Sequence, residues 1–334
     1  MFTAAAKAPS VILRGHFQRY SHDKVFIVSK GGKARKVLTG STNLSVTGLY
    51  VNSNHVLVFD DPVIAGKYLE VFNESLTDKT SASKFSATSL ALQTFTPSSN
   101  TAIDITFSPH DEATAKKILD AMAARIALEG TKSAGTGSVL FAVMDVGGGT
   151  GPVLPALKEL HKAENVFSYG ISDNPGGIAL YKPGNKTGVL VTGKPVKTKL
   201  PPPFSQVPGV GLGHQVHHKF VVCGFNGKTP VVYCGSSNLA LGGEMANGDN
   251  LLAIHDEDVA TVFAIEAMAL VDHFDFLDSV QDGPTAKKTK NSQPDPSKPQ
   301  AAIDAGWFLS TTDGWTQKYY DADDLRSADR QLFA

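Results

Sequence analysis

His217-His218-Lys219, followed by Gly235-Ser236-Ser237-Asn238, repeats an earlier stretch of the chain, His22-Asp23-Lys24 followed by Gly40-Ser41-Thr42-Asn43. The two first histidines are 217 − 22 = 195 positions apart, and the lysine, glycine, first serine and asparagine of each stretch keep that separation. Five chemically distinctive residues that recur in one register, without a gap, indicate an internal repeat. The sequence therefore predicts two homologous half-domains, each of which contributes one set of polar side chains.

The repeat continues into the segments that follow each stretch. Val56–Phe59 falls on a second apolar run in the same register, and Asp61 falls on Asp256 at the start of an apolar helical pattern. Within a strand, side chains two positions apart share a face, so His22 and Lys24 are expected to point the same way. Two such sets that face each other form a convergent site for a phosphate group.

Strands and helices alternate between the two stretches. The hydrophobic pattern predicts strands over 103–107, 138–144 and 166–171 and helices over 111–127 and 152–162. Such alternation is typical of an α/β fold. We therefore expect two similar half-domains, each a mixed β-sheet flanked by helices, with one composite active site between them.

The two predicted halves differ in size. About 110 residues lie between the strand at 103–107 and His217, whereas only 21 residues precede His22. A polar segment over 77–100, rich in Ser, Thr and Lys, is predicted to connect the halves. The predicted domains are an incomplete first half over 11–80, a second half over 101–280, and a linker and C-terminal tail over 281–334. The asymmetry favours a fragment of a longer protein over a genuinely reduced first lobe.

The doubled pattern resembles the phospholipase D superfamily, whose members carry His-x-Lys, then Gly-Ser-x-Asn, then a short strand and an acidic helix start. The resemblance covers residues 11–76 and 104–275, and two copies at a constant spacing make it specific. The family often has an Asp five residues after the lysine, where this chain has Ser29 and Gly224, although some branches lack it. The resemblance implies a phosphodiesterase that uses no metal or other cofactor and forms a phosphohistidine intermediate.

The residue types of the repeat suit that chemistry. A neutral imidazole can attack phosphorus, and a second, protonated histidine can donate to the leaving oxygen and later activate water. Lysine ammonium groups and asparagine amides can hold the non-bridging oxygens and supply the positive charge that a metal would otherwise provide. The predicted catalytic residues are His22, Lys24, Asn43, His217, Lys219, Asn238 and Asp249. The predicted substrate-binding residues are Ser41, Ser236 and Asn54, and no metal ligands are predicted.

The partners of the two histidines decide their roles. Family members often carry a Glu eleven residues after the motif Asn, and this chain has Asn54 and Asp249 at those positions. A carboxylate beside an imidazole stabilises its charged form, so we expect Asp249 to raise the pKa of His217. Asn54 can fix a tautomer but supplies no charge. In many relatives the N-terminal histidine attacks, which implies His22 as the nucleophile and His217 as the acid.

Composition narrows the class of substrate only slightly. The 334 residues carry 31 Lys and Arg against 32 Asp and Glu, a net charge of −1, which gives no bulk attraction to nucleic acid or an anionic membrane. This balance slightly favours a phospholipid or small diester, with a nuclease of the same superfamily as the alternative. A third interpretation is an inactive scaffold that binds phosphodiesters or lipid. We expect no transmembrane segment, no obligatory protein partner and a cytoplasmic location.

Three other features have functional interpretations that we weigh less. The run 214–218 contains three histidines, but adjacent side chains on a strand point to opposite faces, which disfavours a zinc site. The glycine-rich run 147–151 precedes a helix but lacks the Gly-Lys-Ser/Thr ending of a phosphate-binding loop, so a strand–helix turn is preferred. Cys223 and Cys234 are expected to be small buried thiols.

Overall fold

The computed structural model has an α/β fold in which two β-sheets are flanked by helices. This confirms the fold class that the alternating pattern predicts. The structure describes residues 15–76, 81–131, 137–144, 150–160, 166–172, 179–181, 188–190, 216–225, 227–281, 313–322, 327 and 330.

The smaller sheet is an antiparallel meander that follows the first repeated stretch. Its three strands are, in spatial order, β1 (Phe26–Lys30), β2 (Lys33–Gly40) and β3 (Val56–Phe59). Gly31 and Gly32 turn the chain between β1 and β2 with φ angles of 61° and 75°, which glycine adopts without strain. A short helix, α1 (Val46–Tyr50), follows β2.

Helix α2 (Pro62–Leu76) covers one face of this sheet. The Asp61 carboxylate accepts hydrogen bonds from the N–H groups of Val63 and Ile64 at 2.7 and 3.1 Å, and Pro62 occupies the first turn, where no N–H is needed. The helix start that Asp61 predicts is therefore confirmed. The side chains that α2 buries are those of Ile64, Ala65, Tyr68 and Val71.

The larger sheet contains the second repeated stretch. Its eight strands are β4 (Ile103–Phe107), β5 (Gly137–Val143), β6 (Val166–Ser172), β7 (Ala179–Tyr181), β8 (Gly188–Leu190), β9 (Lys219–Cys223), β10 (Val231–Gly235) and β11 (Asn250–Ile254). Their order is β4-β11-β10-β9-β5-β6-β7-β8; among the strands that the structure describes, β5 and β6 pair in parallel and the other neighbours are antiparallel. Strands β5, β6 and β9 are buried along their whole length, as expected of a sheet covered on both faces.

Helices cover this sheet and fill the connector between the halves. They are α3 (Ala82–Phe85), α4 (Ser89–Leu92), α5 (Glu112–Glu129), α6 (Val153–Leu160), α7 (Leu241–Ala246), α8 (Glu257–Gln281) and a 3₁₀ helix (Gly314–Tyr319). Helices α5 and α8 both contact β5 and β9. No helix of the described residues is long and apolar enough to cross a membrane.

Most predicted elements lie within a few residues of their predicted bounds. Strand β4 has the predicted bounds, and Asp111 caps α5 by accepting a hydrogen bond from the Thr114 N–H at 2.7 Å. The connector is more ordered than predicted, because α3 and α4 bury apolar side chains there. Cys223 and Cys234 are buried thiols that form no disulfide, as predicted. Most of the run 147–151 and of the predicted linker lies outside the described residues.

The two sheets meet at the repeated stretches. The N–H of His22 donates to the carbonyl of Gly248 at 2.8 Å, and the N–H of His217 donates to the carbonyl of Ser53 at 3.0 Å. Short parallel bridges accompany both hydrogen bonds. Each motif histidine is therefore held by the backbone of the segment that follows the other motif.

Two glycines turn the chain from strand ends into this junction. Gly40 and Gly235 have φ angles of 140° and 137°. A Cβ atom at either position would lie 2.3 or 2.4 Å from the backbone oxygen of His55 or Asn250. Only glycine permits this approach, and it brings the following serine of each motif into the junction.

Candidate active site

Both repeated stretches contribute side chains to one buried polar cluster. Lys24 comes just before β1, and Lys219 is the first residue of β9. Ser41 and Ser236 directly follow β2 and β10. All four side chains are buried, which is unusual for lysine and indicates that polar partners surround them.

The first arm of the cluster joins His22 to a carboxylate of the other motif. Nδ1 of His22 lies 2.7 Å from Oδ1 of Asp249, which is 1% exposed. The same oxygen accepts a hydrogen bond from the Ser236 hydroxyl at 2.7 Å. Because a carboxylate can only accept, Nδ1 of His22 carries a proton and Nε2 is the nitrogen left for a substrate.

The second arm joins His217 to an amide. Nδ1 of His217 lies 2.8 Å from Oδ1 of Asn54, and that oxygen also accepts from the Ser41 hydroxyl at 2.9 Å. The Asn54 amide nitrogen donates to the carbonyls of Gly48 and Asn52 at 3.0 and 3.1 Å, which identifies the oxygen as the atom facing the ring. Nδ1 of His217 is therefore protonated, and its Nε2 holds a lone pair.

His217 is held in its neutral form. Burial, followed by the positive charges of Lys219, Lys24 and His22, lowers the pKa of His217 to about 3. Nζ of Lys219 lies 3.3 Å from Nε2 of His217. The two motifs are thus close enough for charge on one to act on the histidine of the other.

The pairing of histidines with their partners is the reverse of the sequence-based expectation. We expected Asp249 to raise the pKa of His217, but Asp249 contacts His22 and the pKa of His217 is lowered. The reason is that the chain segments after the two Gly-Ser-x-Asn stretches cross over. Asp249, after the second stretch, contacts His22, and Asn54, after the first stretch, contacts His217. The lowered pKa of His217 disfavours the charged form that the expected acid role requires.

Asn54→Asp is expected to raise the pKa of His217 by about 1–3 units, because a carboxylate at the same position stabilises the imidazolium. The measurement is a titration of the histidine ring resonances by NMR between pH 3 and 8. Asn52→Asp is the matched control, since Asn52 contacts Asn54 through its backbone carbonyl. An unchanged His217 titration in Asn54→Asp would contradict the contact.

Burial lowers the pKa of both lysines of the cluster. Burial, followed by the charge of Lys24, lowers the pKa of Lys219 to about 7, while Asp249 opposes the shift. Burial lowers the pKa of Lys24 to about 8, against the charges of Asp249 and Asp23. Each Nζ donates to the carbonyl of its own motif histidine. An anion bound between these lysines would relieve their repulsion and favour their charged forms.

Asp23 belongs to the same cluster and was missed by sequence reasoning. Its Oδ1 accepts a hydrogen bond from the Asn250 amide at 2.7 Å and lies 3.3 Å from the Ser236 hydroxyl. Burial and the charge of Asp249 raise the pKa of Asp23 to about 7. The sequence signal for Asp23 is its position between His22 and Lys24. Strand alternation predicts that it points to the opposite face from these two residues, so it was not assigned to the site.

The two motif asparagines lie outside the hydrogen-bond network just described. Asn43 is exposed in the loop after β2. Oδ1 of Asn238 is buried and has no hydrogen-bond partner among the described residues. The next residue, Leu239, has a φ angle of 58°, and its N–H donates to the Ser237 hydroxyl at 3.0 Å.

His218 belongs to a separate cluster. Its Nδ1 lies 3.3 Å from Nδ1 of His55, and its Nε2 lies 3.0 Å from Oε1 of Glu266. Burial first lowers the pKa of His218, and Glu266 opposes that shift. Within the described part of the chain, no group of three His, Cys, Asp or Glu side chains could hold a metal ion. His214, the first histidine of the run 214–218, lies outside the described residues.

Comparison with known proteins finds distant structural likeness to solved structures. No protein-family profile matches the chain. No curated protein matches it significantly. Among solved structures, the chain is similar to the polyphosphate kinase from Porphyromonas gingivalis, with a TM-score of 0.40 and 14% identity, over 71% of this chain and 32% of the kinase chain. The chain therefore spans about a third of the length of that protein.

Proposed function

We propose that the protein is a phosphodiesterase that acts through a phosphohistidine and needs no metal. The observation that carries the proposal is the neutral His217, whose Nε2 lone pair lies 3.3 Å from the Lys219 ammonium, in one cluster with His22 and Asp249. This arrangement supplies a nucleophile, a cation for the phosphate oxygens and a second histidine with a carboxylate partner. The two motifs are interpreted as halves of one duplicated site, because their hydrogen bonds repeat at the 195-residue offset.

In the first half-reaction, Nε2 of His217 forms a bond to phosphorus while the bond from phosphorus to the leaving oxygen breaks. The leaving oxygen takes a proton from Nε2 of His22, and Asp249 stabilises the charged His22 ring before the transfer. An alcohol departs, and the phosphoryl group remains on His217. These roles are the reverse of those that the family resemblance implies.

In the second half-reaction, Nε2 of the neutral His22 takes a proton from a water molecule, and the water oxygen forms a bond to phosphorus. The bond between phosphorus and Nε2 of His217 breaks, which releases a phosphate monoester and restores both histidines. Lys24 and Lys219 stabilise the negative charge on the non-bridging oxygens in both steps. The amides of Asn43 and Asn238 are proposed to donate to the same oxygens.

The test of the class is turnover of bis(p-nitrophenyl) phosphate in excess EDTA. We expect release of p-nitrophenolate at the same rate with and without the chelator, because lysines supply the positive charge. Loss of activity on dialysis against EDTA, restored by a divalent cation, would overturn the metal-independent mechanism. Binding of the diester without turnover would identify the scaffold alternative instead.

A phospholipid or small diester is the proposed substrate, since the net charge of −1 gives no bulk attraction to nucleic acid. The competing arms of the experiment are phosphatidylcholine vesicles and single-stranded DNA at matched phosphodiester concentration. Faster cleavage of DNA would select the nuclease alternative.

A further inference from the structure

One face of the three-stranded sheet is not covered by any helix of the described residues. Helix α2 packs on the face opposite to it, and alternation along the strands directs a second set of apolar side chains outward. Val28 and Val58 of this set are 57% and 64% exposed. We call this surface the open face; its apolar residues are Phe26, Val28, Leu38, Val56 and Val58. Lys36 pairs with Val28 and lies on the same face, with its ammonium 2.6 Å from the carboxylate of Asp60. The larger sheet has no such face in its described central strands, because α5 and α8 both contact β5 and β9.

The open face continues into a groove beside helix α8. Val56 lies on the rim of a cavity of about 680 Å³, and the α8 side of this cavity includes Val259, Val262 and Ile265. Val262 is 65% exposed. Contiguous exposed apolar surface on two adjoining elements marks an interaction site rather than ordinary scattered surface residues.

The combined surface has opposite charges at its two ends. Strand pairing places Lys30 opposite Lys33 at the hairpin tip, whereas Gly40 pairs with Val56 at the other end of the sheet. Lys30 and Lys33 are exposed. The groove end carries Asp258, and the carboxylate of Glu266 lies there beside His218. A basic end, the Lys36–Asp60 ion pair, an apolar middle and an acidic end therefore follow one another along the strand direction.

We infer that the open face and the α8 groove form an isologous interface between two copies of this chain. A two-fold axis through the middle of the open face brings the basic hairpin tip of each copy over the acidic groove end of the other. The apolar side chains then pack face to face, as in a two-sheet sandwich. This inference is independent of the proposed hydrolysis, because the side chains that carry it are outside the cluster of His22, His217 and the buried lysines.

The charge pattern favours a second copy over an anionic lipid surface. A membrane would attract the hairpin tip but repel Asp258 and Glu266 at the other end. A second copy satisfies both ends with the same pair of contacts, since an isologous interface uses every contact twice.

The first experiment measures the mass of the full chain in solution by sedimentation equilibrium and light scattering. We expect two chains per particle, and a Val28→Glu/Val58→Glu variant is expected to weaken association at least about 100-fold, because it places charge in the apolar middle. Leu128→Glu is the matched control, since Leu128 is 53% exposed on α5 and outside the proposed interface. A wild-type chain that stays monomeric at about 100 μM overturns the inference, and so does a monomer that binds anionic vesicles.

The second experiment exchanges the charges of the two ends. Lys33→Glu and Asp258→Lys are each expected to weaken self-association about tenfold, because each variant makes both end contacts repulsive. An equimolar mixture of the two variants is expected to recover a heterodimer, in which both end contacts are attractive. A mixture that stays as weakly associated as the separate variants would contradict the proposed orientation even if the wild type is a dimer.

Discussion

His217→Ala is expected to lose at least about 10,000-fold in turnover on every phosphodiester, whereas His22→Ala is expected to stop after one chemical step on p-nitrophenyl esters. The nucleophile is required whatever the leaving group. p-Nitrophenolate departs without a proton, so the loss of the acid His22 leaves the first half-reaction nearly intact. The second half-reaction still needs His22 to take a proton from water, and the covalent intermediate therefore accumulates.

The measurement is a stopped-flow absorbance trace followed by mass spectrometry of the intact protein. His22→Ala is expected to release about one p-nitrophenolate per active site in a burst and to gain the mass of the phosphoryl ester, with the adduct mapped to His217. His255→Ala is the control for loss of a histidine, because His255 is exposed and outside the cluster. An adduct on His22 in the His217→Ala variant would reverse the assigned roles.

The parts of the structure that local signals determine could be predicted from the sequence. Asp61 followed by Pro62 begins α2, and Asp111 caps α5, because both caps act within one helical turn. The buried strands of the larger sheet were visible as apolar runs. Helix α7 was not predicted, because Gly242 and Gly243 lower its helical propensity. It also buries the charged residue Glu244, which depends on contacts with distant parts of the chain.

The partners within the site could not be predicted because they are set by contacts between distant segments. The register of the repeat correctly groups Asp249 with the second motif, but the chain crosses over so that Asp249 contacts His22. The backbone hydrogen bonds from His22 to Gly248 and from His217 to Ser53 show the same crossing. Asp23 was missed for a related reason, as its partners Asn250 and Ser236 come from the other half of the chain.

Lys219→Met is expected to lower turnover about 100- to 1,000-fold while raising the stability of the fold. Lys219 is 1% exposed, and its pKa is lowered from 10.5 to about 7 by burial and by Lys24. The unfolded chain therefore binds a proton that the folded chain lacks between these values, so stability rises with pH across that window. Below pH 7 the folded protein holds a buried charge, and methionine removes it at similar volume.

The gain in the free energy of unfolding is expected to be about 1 kcal/mol or more at pH 6 and smaller at pH 9, as measured by urea unfolding of both proteins. Lys24→Met is the informative contrast, because Lys24 interacts with the carboxylates of Asp249 and Asp23, and its loss leaves both without that countercharge. This variant is expected to lose turnover without gaining stability. Lys36→Met, at an exposed lysine paired with Asp60 at 2.6 Å, is expected to change neither quantity measurably. A Lys219→Met protein that is less stable than the wild type at pH 6 would show that the buried ammonium supports the fold, and that its charge is not held there for the reaction.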